Sequence, residues 1–146
     1  MEEGDMSNCV FCDILAGKLP ASIVYQDASC TAFMDIEPIN PGHVLVIPNG
    51  HAPSLAALSE EAGDQLFRTA RRIAGALFSS GIRCEGVNLL LADGAAAGQE
   101  VFHIHLHVLP RYPDDGFGFN FDLEAAKKPE RAALDALAQQ IGSELS

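Results

Sequence analysis

The chain has 146 residues, 48% hydrophobic and 20% charged, which fits one soluble globular domain that buries roughly 68–70% of its unfolded surface and leaves no room for a second large one. Nine Lys and Arg against twenty Asp and Glu give a formal charge of −11. That field argues against a generic binder of nucleic-acid backbones, although a pocket of histidines and backbone N–H groups can still hold a small anion.

In chain order, Cys9 to Gly17 reads as a loop entering a short helix that Gly17 ends, and the acidic segment before it is unlike the basic and then apolar start of a secretory signal. No run approaches the ~20 apolar residues of a membrane span. A cytoplasmic location, no membrane partner and reduced cysteines (Cys9, Cys12, Cys30, Cys84) are therefore expected. Ser22 to Gln26 and Cys30 to Asp35 read as two strands of a hairpin, and His43 to Pro48 as a third strand, β-branched and closed by proline. Ser59 is the N-cap of a helix running to about Ser80, with Ala62, Leu66, Ala70, Ile73, Ala74 and Leu77 on one face and Gly81 just past its end. Val87 to Leu91 and His103 to Leu109 complete a set of five strands. Pro129 stands near the first turn of a last helix with the apolar stripe Leu134, Leu137, Ala138, Ile141 and Leu145. This order of elements is α+β, a mostly antiparallel five-stranded sheet with one central and one C-terminal helix in a single domain, residues 1–146.

His103-Ile-His105-Leu-His107-Val-Leu109 carries the chemistry. On a strand, successive side chains change faces, so the three imidazoles share one face at ~6.6–6.8 Å spacing and Ile104, Leu106 and Val108 share the other. The apolar set belongs to a core, and the imidazoles to a cleft. A lone strand histidine is ordinarily a satisfied surface or core residue. Three at period two repel one another when protonated and add little as packing, so they point to metal binding or phosphorus chemistry.

These residues resemble the signature of the histidine triad family, His-φ-His-φ-His-φ-φ with φ hydrophobic. Phe11-x-x-Ile14, Ala32 to Ile36, Pro41-Gly42-His43 to Pro48, His51 and Ala97-Gly98-Gln99 recur in family order, so the likeness spans about residues 9–112, with the loop and helix of 113–146 outside it. Cys9-x-x-Cys12 and Pro110-Arg111-Tyr112 are similar to the bacterial branch. The resemblance implies a nucleoside-monophosphate hydrolase or transferase that cleaves purine phosphoramidates, acyl adenylates or related conjugates. His105 is then the nucleophile at phosphorus, forming a nucleotidyl-histidine, because neutral imidazole attacks without first losing a proton. His107 and Gln99 donate to the phosphoryl oxygens, and His43 orients the nucleophile. Asp35 accepts the ribose hydroxyls, and Phe11, Ile14, Phe33 and Ile36 wall the base. Ala92 stands where many relatives carry asparagine, and Glu100 where some carry serine or threonine. A homodimer, a purine nucleotide ligand and no nucleic-acid partner complete the expectation.

Taken alone, Cys9-x-x-Cys12 is as much a redox pair as a metal site. The resemblance completes it with His51 and His103 as a Cys₂His₂ set for one structural zinc per chain, while Cys30 and Cys84 are core residues. Other readings of the same residues are a diadenosine polyphosphate hydrolase, a zinc-dependent hydrolase with His103 and His105 as ligands, and a nucleotide-binding regulator with little turnover.

Overall fold

The computed structural model of the chain describes residues 8–119, 122, 124 and 127–145. Its strands are four to six residues long: β1 (Ile23–Gln26), β2 (Cys30–Met34), β3 (Val44–Pro48), β4 (Gly86–Leu91) and β5 (Leu106–Arg111). They pair antiparallel in the order β1-β2-β3-β5-β4, so the hairpin and third strand expected from the sequence lie side by side and β5 inserts between β3 and β4. A short helix α1 (Val10–Leu15) precedes the sheet and a long one, α2 (Glu60–Ser79), joins β3 to β4. The sheet and both helices fall in one compact unit that ends at Gly116, and the residues from Phe117 onward group as a second unit holding α3 (Arg131–Gly142). Among the described residues no helix is long and apolar enough to cross a membrane.

The 3.6-residue period of α2 places Leu66, Thr69, Ala70, Ile73 and Leu77 on its buried face. Ser59 caps it as expected, its hydroxyl accepting from the Ala62 N–H at 3.1 Å. Against this face the sheet presents alternate residues: Cys30 and Ala32 of β2, Val44 and Val46 of β3, Leu106 and Val108 of β5. The other face carries Phe33, Leu45 and Ile47, covered by Phe11 of α1 and by Cys9. Because Leu45 pairs directly with His107, and His43 lies two residues before Leu45, both imidazoles belong to this second face. A register slip of one residue would turn them toward α2, at about 1–3 kcal/mol for each polar group left unsatisfied there. The pairing register of β3 with β5 thus aims the histidines.

The turn into β3 is tight for a steric reason. Gly42 has φ of +99°, and a Cβ there would meet Cγ2 of Ile82 at 3.1 Å and Leu77 Cδ2 and Pro110 Cγ at 3.3 Å. Glycine alone satisfies both the backbone and the space.

Candidate functional site

β5 begins at Leu106, so His107 is in the ladder while His103 and His105 lie in the irregular segment before it, a correction to the strand expected over 103–109. Beyond the pair Val46 and Leu106 the segment leaves β3: the Ile104 N–H bonds to the Ala52 carbonyl at 2.7 Å, and the His103 ring takes the Pro48 carbonyl. The three rings still lie together. Phe11 stands edge-on to both His103 and His105, at centroid distances of 5.8 and 5.1 Å, and His105 and His107 are 5.0 Å apart.

Backbone groups determine where each ring carries its proton. His105 Nδ1 is 2.8 Å from the His103 carbonyl, which can only accept, so Nδ1 holds the hydrogen and Nε2 is left with a lone pair. At His43 the polarity is reversed. The Ile39 N–H donates to its Nδ1 at 3.1 Å, so the ring proton sits on Nε2, which donates to His107 Nδ1 at 2.8 Å. His107 then carries its own proton on Nε2. Among the described residues neither His105 Nε2 nor His107 Nε2 has a hydrogen-bond partner, and neither is sealed from solvent, since His51 Nε2 is the one buried and unpaired side-chain polar atom there. A lone pair on one ring and an N–H on its neighbour thus face outward side by side.

Burial keeps these rings neutral. It is the main reason the His43 and His105 pKa values lie below the ordinary imidazole value, against the opposing pull of the Asp35 carboxylate on both. For His107, burial together with His105 and His43 lowers the value to about 4. Asp35 Oδ2 is 3.4 Å from His43 Nε2, and its Oδ1 accepts from the Glu37 N–H at 2.8 Å. Asp35, His43 and His107 are close enough to be considered as metal ligands. However, the Ile39 N–H directs the His43 proton onto the nitrogen a metal would need, so the group acts as a hydrogen-bonded chain.

Cys9, Cys12, His51 and His103 bring their ligand atoms within 4.8 Å of one another. His103 Nε2 donates to the Pro48 carbonyl at 2.8 Å, which turns its unprotonated Nδ1 toward Cys9 Sγ at 3.4 Å and Cys12 Sγ at 3.6 Å, and His51 Nδ1 is 3.3 Å from Cys12 Sγ. A tetrahedral zinc with bonds of ~2.3 Å to sulfur and ~2.0–2.1 Å to nitrogen has a sulfur–nitrogen edge of about 3.6 Å. The residues therefore fit a zinc ion, and the Pro48 carbonyl supplies the outer hydrogen bond that fixes a metal-binding imidazole. Burial, followed by Cys9, raises the Cys12 thiol to about 11, a cost that a cation would reverse. His103 sits in this cluster apart from the outward nitrogens, which counts against a shared His103–His105 metal site.

Phe11 and Phe33 are buried with ring centroids 5.4 Å apart, and Ile14 is half-buried against them. Ile36 departs from the expected wall. It is 91% exposed where the chain turns after β2. Gln99 is also corrected as a direct donor: its Nε2 is spent on the Pro53 and Val101 carbonyls and its Oε1 on the Gly94 N–H, so it holds the glycine loop in shape. Ala92 is half-buried and Glu100 exposed. The groups that set the proton positions, the Ile39 N–H and the His103 and Pro48 carbonyls, belong to the backbone and have no sequence signature.

The HIT domain profile matches residues 16–114 of the chain. An uncharacterized HIT-like protein of Borreliella burgdorferi is 44% identical over 116 residues, 78% of this chain and 83% of its own. Among solved structures, a Zn-bound histidine triad family protein from Mycobacterium smegmatis superposes with a TM-score of 0.72 and 37% identity over 94% of this chain and 98% of that one. A histidine triad nucleotide-binding protein from Candida albicans gives 0.82 and 27% identity over 94% and 97%.

Folding stability should depend on pH through these rings. The folded-state pKa values of His43 and His107 lie below their unfolded values, so their contribution is intact above the ordinary imidazole pKa and is lost as pH falls toward about 4. Chemical denaturation at pH 7.5, 6 and 5 should give steadily falling stability, whereas equal values across that range would contradict the neutral assignment.

Proposed function

Because the chain belongs to the HIT family, we propose that it is a hydrolase or transferase of purine nucleotide conjugates, with His105 as nucleophile. The observation that carries this reading is the pairing of an unprotonated His105 Nε2 with a protonated His107 Nε2, set by the His103 carbonyl on one side and the Ile39 N–H on the other. His105 Nε2 attacks the α-phosphorus, forming a P–N bond as the bond to the leaving group breaks and its electron pair departs with that group. His107 Nε2–H donates to a phosphoryl oxygen as charge gathers there. The attacking imidazole becomes cationic, and its Nδ1–H then bonds the His103 carbonyl more strongly than in the ground state, so the contact favours the transition state. Water next attacks the same phosphorus, releasing the nucleoside monophosphate and restoring the ring.

Phe11, Ile14 and Phe33 form the apolar wall for the base, and Asp35 accepts the ribose hydroxyls. Gln99 supports the loop that faces the phosphoryl group. Cys9, Cys12, His51 and His103 would hold a structural zinc that ties α1 to the segment before β5, with four protein ligands and no open position for water. A homodimer fits β4, a sheet edge with Leu89 and Leu90 exposed.

With an adenosine phosphoramidate, wild-type protein quenched in turnover should carry an adenylyl mass, and His105→Ala should lose the adduct and at least ~10³-fold in kcat/KM. Equal turnover in the two proteins would overturn the assignment. Elemental analysis should find about one zinc per chain in the wild type and little in Cys9→Ser/Cys12→Ser. Zinc retained by the double variant would remove the Cys₂His₂ assignment.

A further inference from the structure

A buried cluster at the far end of β5 takes no part in the chemistry above. Asp115, 2% exposed at its side chain, accepts from Arg111 Nε at 2.6 Å and Nη2 at 2.9 Å, from Asn40 Nδ2 at 2.8 Å and from the Tyr112 N–H at 3.4 Å. Arg111 Nη1 continues to Asn88 Oδ1 of β4 at 2.7 Å. Asn40, 4% exposed, also donates to the Pro110 carbonyl at 3.0 Å. A buried carboxylate needs partners of this kind to remain charged, and here they join β4, the end of β5 and the turn from Asp35 to His43.

That turn contains the group that determines the proton arrangement of the site. Asn40 follows Ile39, whose N–H occupies His43 Nδ1, and the Asn40 carbonyl accepts the His43 N–H at 3.1 Å. We propose that Asn40, anchored by Asp115 and Arg111, is a positioning residue that keeps the Ile39 N–H on His43 Nδ1 and so fixes the direction of the His43–His107 hydrogen bond. If the turn shifts, the Asp35 carboxylate 3.4 Å from Nε2 still favours the Nε2–H form but Nδ1 is no longer occupied, and His43 can take its proton on Nδ1. Its bare Nε2 then faces His107 Nδ1, the His107 proton moves to that nitrogen, and the outward His107 Nε2 changes from donor to acceptor. An anchor in the turn before β3 thereby controls which nitrogens face the substrate.

This inference rests on the reading of His107 as a donor in the reaction, so its test has a readout that does not depend on turnover. Nitrogen-15 spectra of the histidine rings at pH 7 distinguish the two neutral tautomers. Wild-type His43 should appear as the Nε2–H form, and in Asn40→Ala as the Nδ1–H form or an exchanging mixture. On a nucleoside phosphoramidate, Asn40→Ala should lose roughly tenfold or more in kcat, with KM within about twofold, as expected when a transition-state donor is weakened. Asn40→Ser, polar but too short to reach both acceptors, serves if the alanine variant does not fold, and should move the same signals. A His43 ring that stays Nε2–H in the folded variant, with kcat per folded molecule unchanged even where melting temperature falls, would reduce Asn40 to a purely structural contact. A wild type without turnover would count against the proposed reaction alone, since the His43 spectrum still decides the role of Asn40.

Discussion

One hydrogen bond, from His105 Nδ1 to the backbone carbonyl of His103, 2.8 Å long, underlies the arrangement of the site. It determines which nitrogen of the central imidazole is free, and it links that ring to the thiol cluster. His103 supplies its carbonyl to the His105 ring and its own ring to the thiol cluster. Strain or slack at the cluster would therefore reach the His105 ring through the His103 carbonyl and through Phe11, which stands edge-on to both rings, so a metal bound there would have a physical route to the proposed nucleophile without entering the chemistry.

The histidines are arranged with opposite polarity. A carbonyl makes His105 an acceptor at its outward nitrogen, and an amide makes His43, and through it His107, a donor. The sheet provides the scaffold: Leu45 opposite His107 fixes the register, and the apolar alternation around it holds the rings on the α1 face. Burial among Phe11, Phe33 and neighbouring rings removes water and keeps the imidazoles neutral, the state both roles require.

Most of this was legible from patterns of side chains. The β-branched apolar run from Val44 to Pro48 and the helical period of Leu66, Ala70, Ile73 and Leu77 identify the elements, and Ser59 the cap. The gathering of His43, His105 and His107, and of Cys9, Cys12, His51 and His103, followed from motif likeness, since residues over 90 positions apart meet only through the topology. What could not be read was carried by backbone. The start of β5 at Leu106 depends on Ile104 bonding to Ala52, a partner no periodicity announces. Gln99 was misread because an amide beside a glycine loop looks the same whether it faces a ligand or, as here, three main-chain groups. The family resemblance places Ile36 in the wall of the base, yet the Asx turn at Asp35 leaves it in solvent.

The most direct test of the central hydrogen bond is the tautomer of His105 in the folded protein at pH 7, read from long-range nitrogen–proton couplings of its ring. The account predicts a neutral imidazole with its proton on Nδ1 and a bare Nε2. A proton found on Nε2, or a cationic ring at that pH, would contradict it, because no lone pair would then face the substrate.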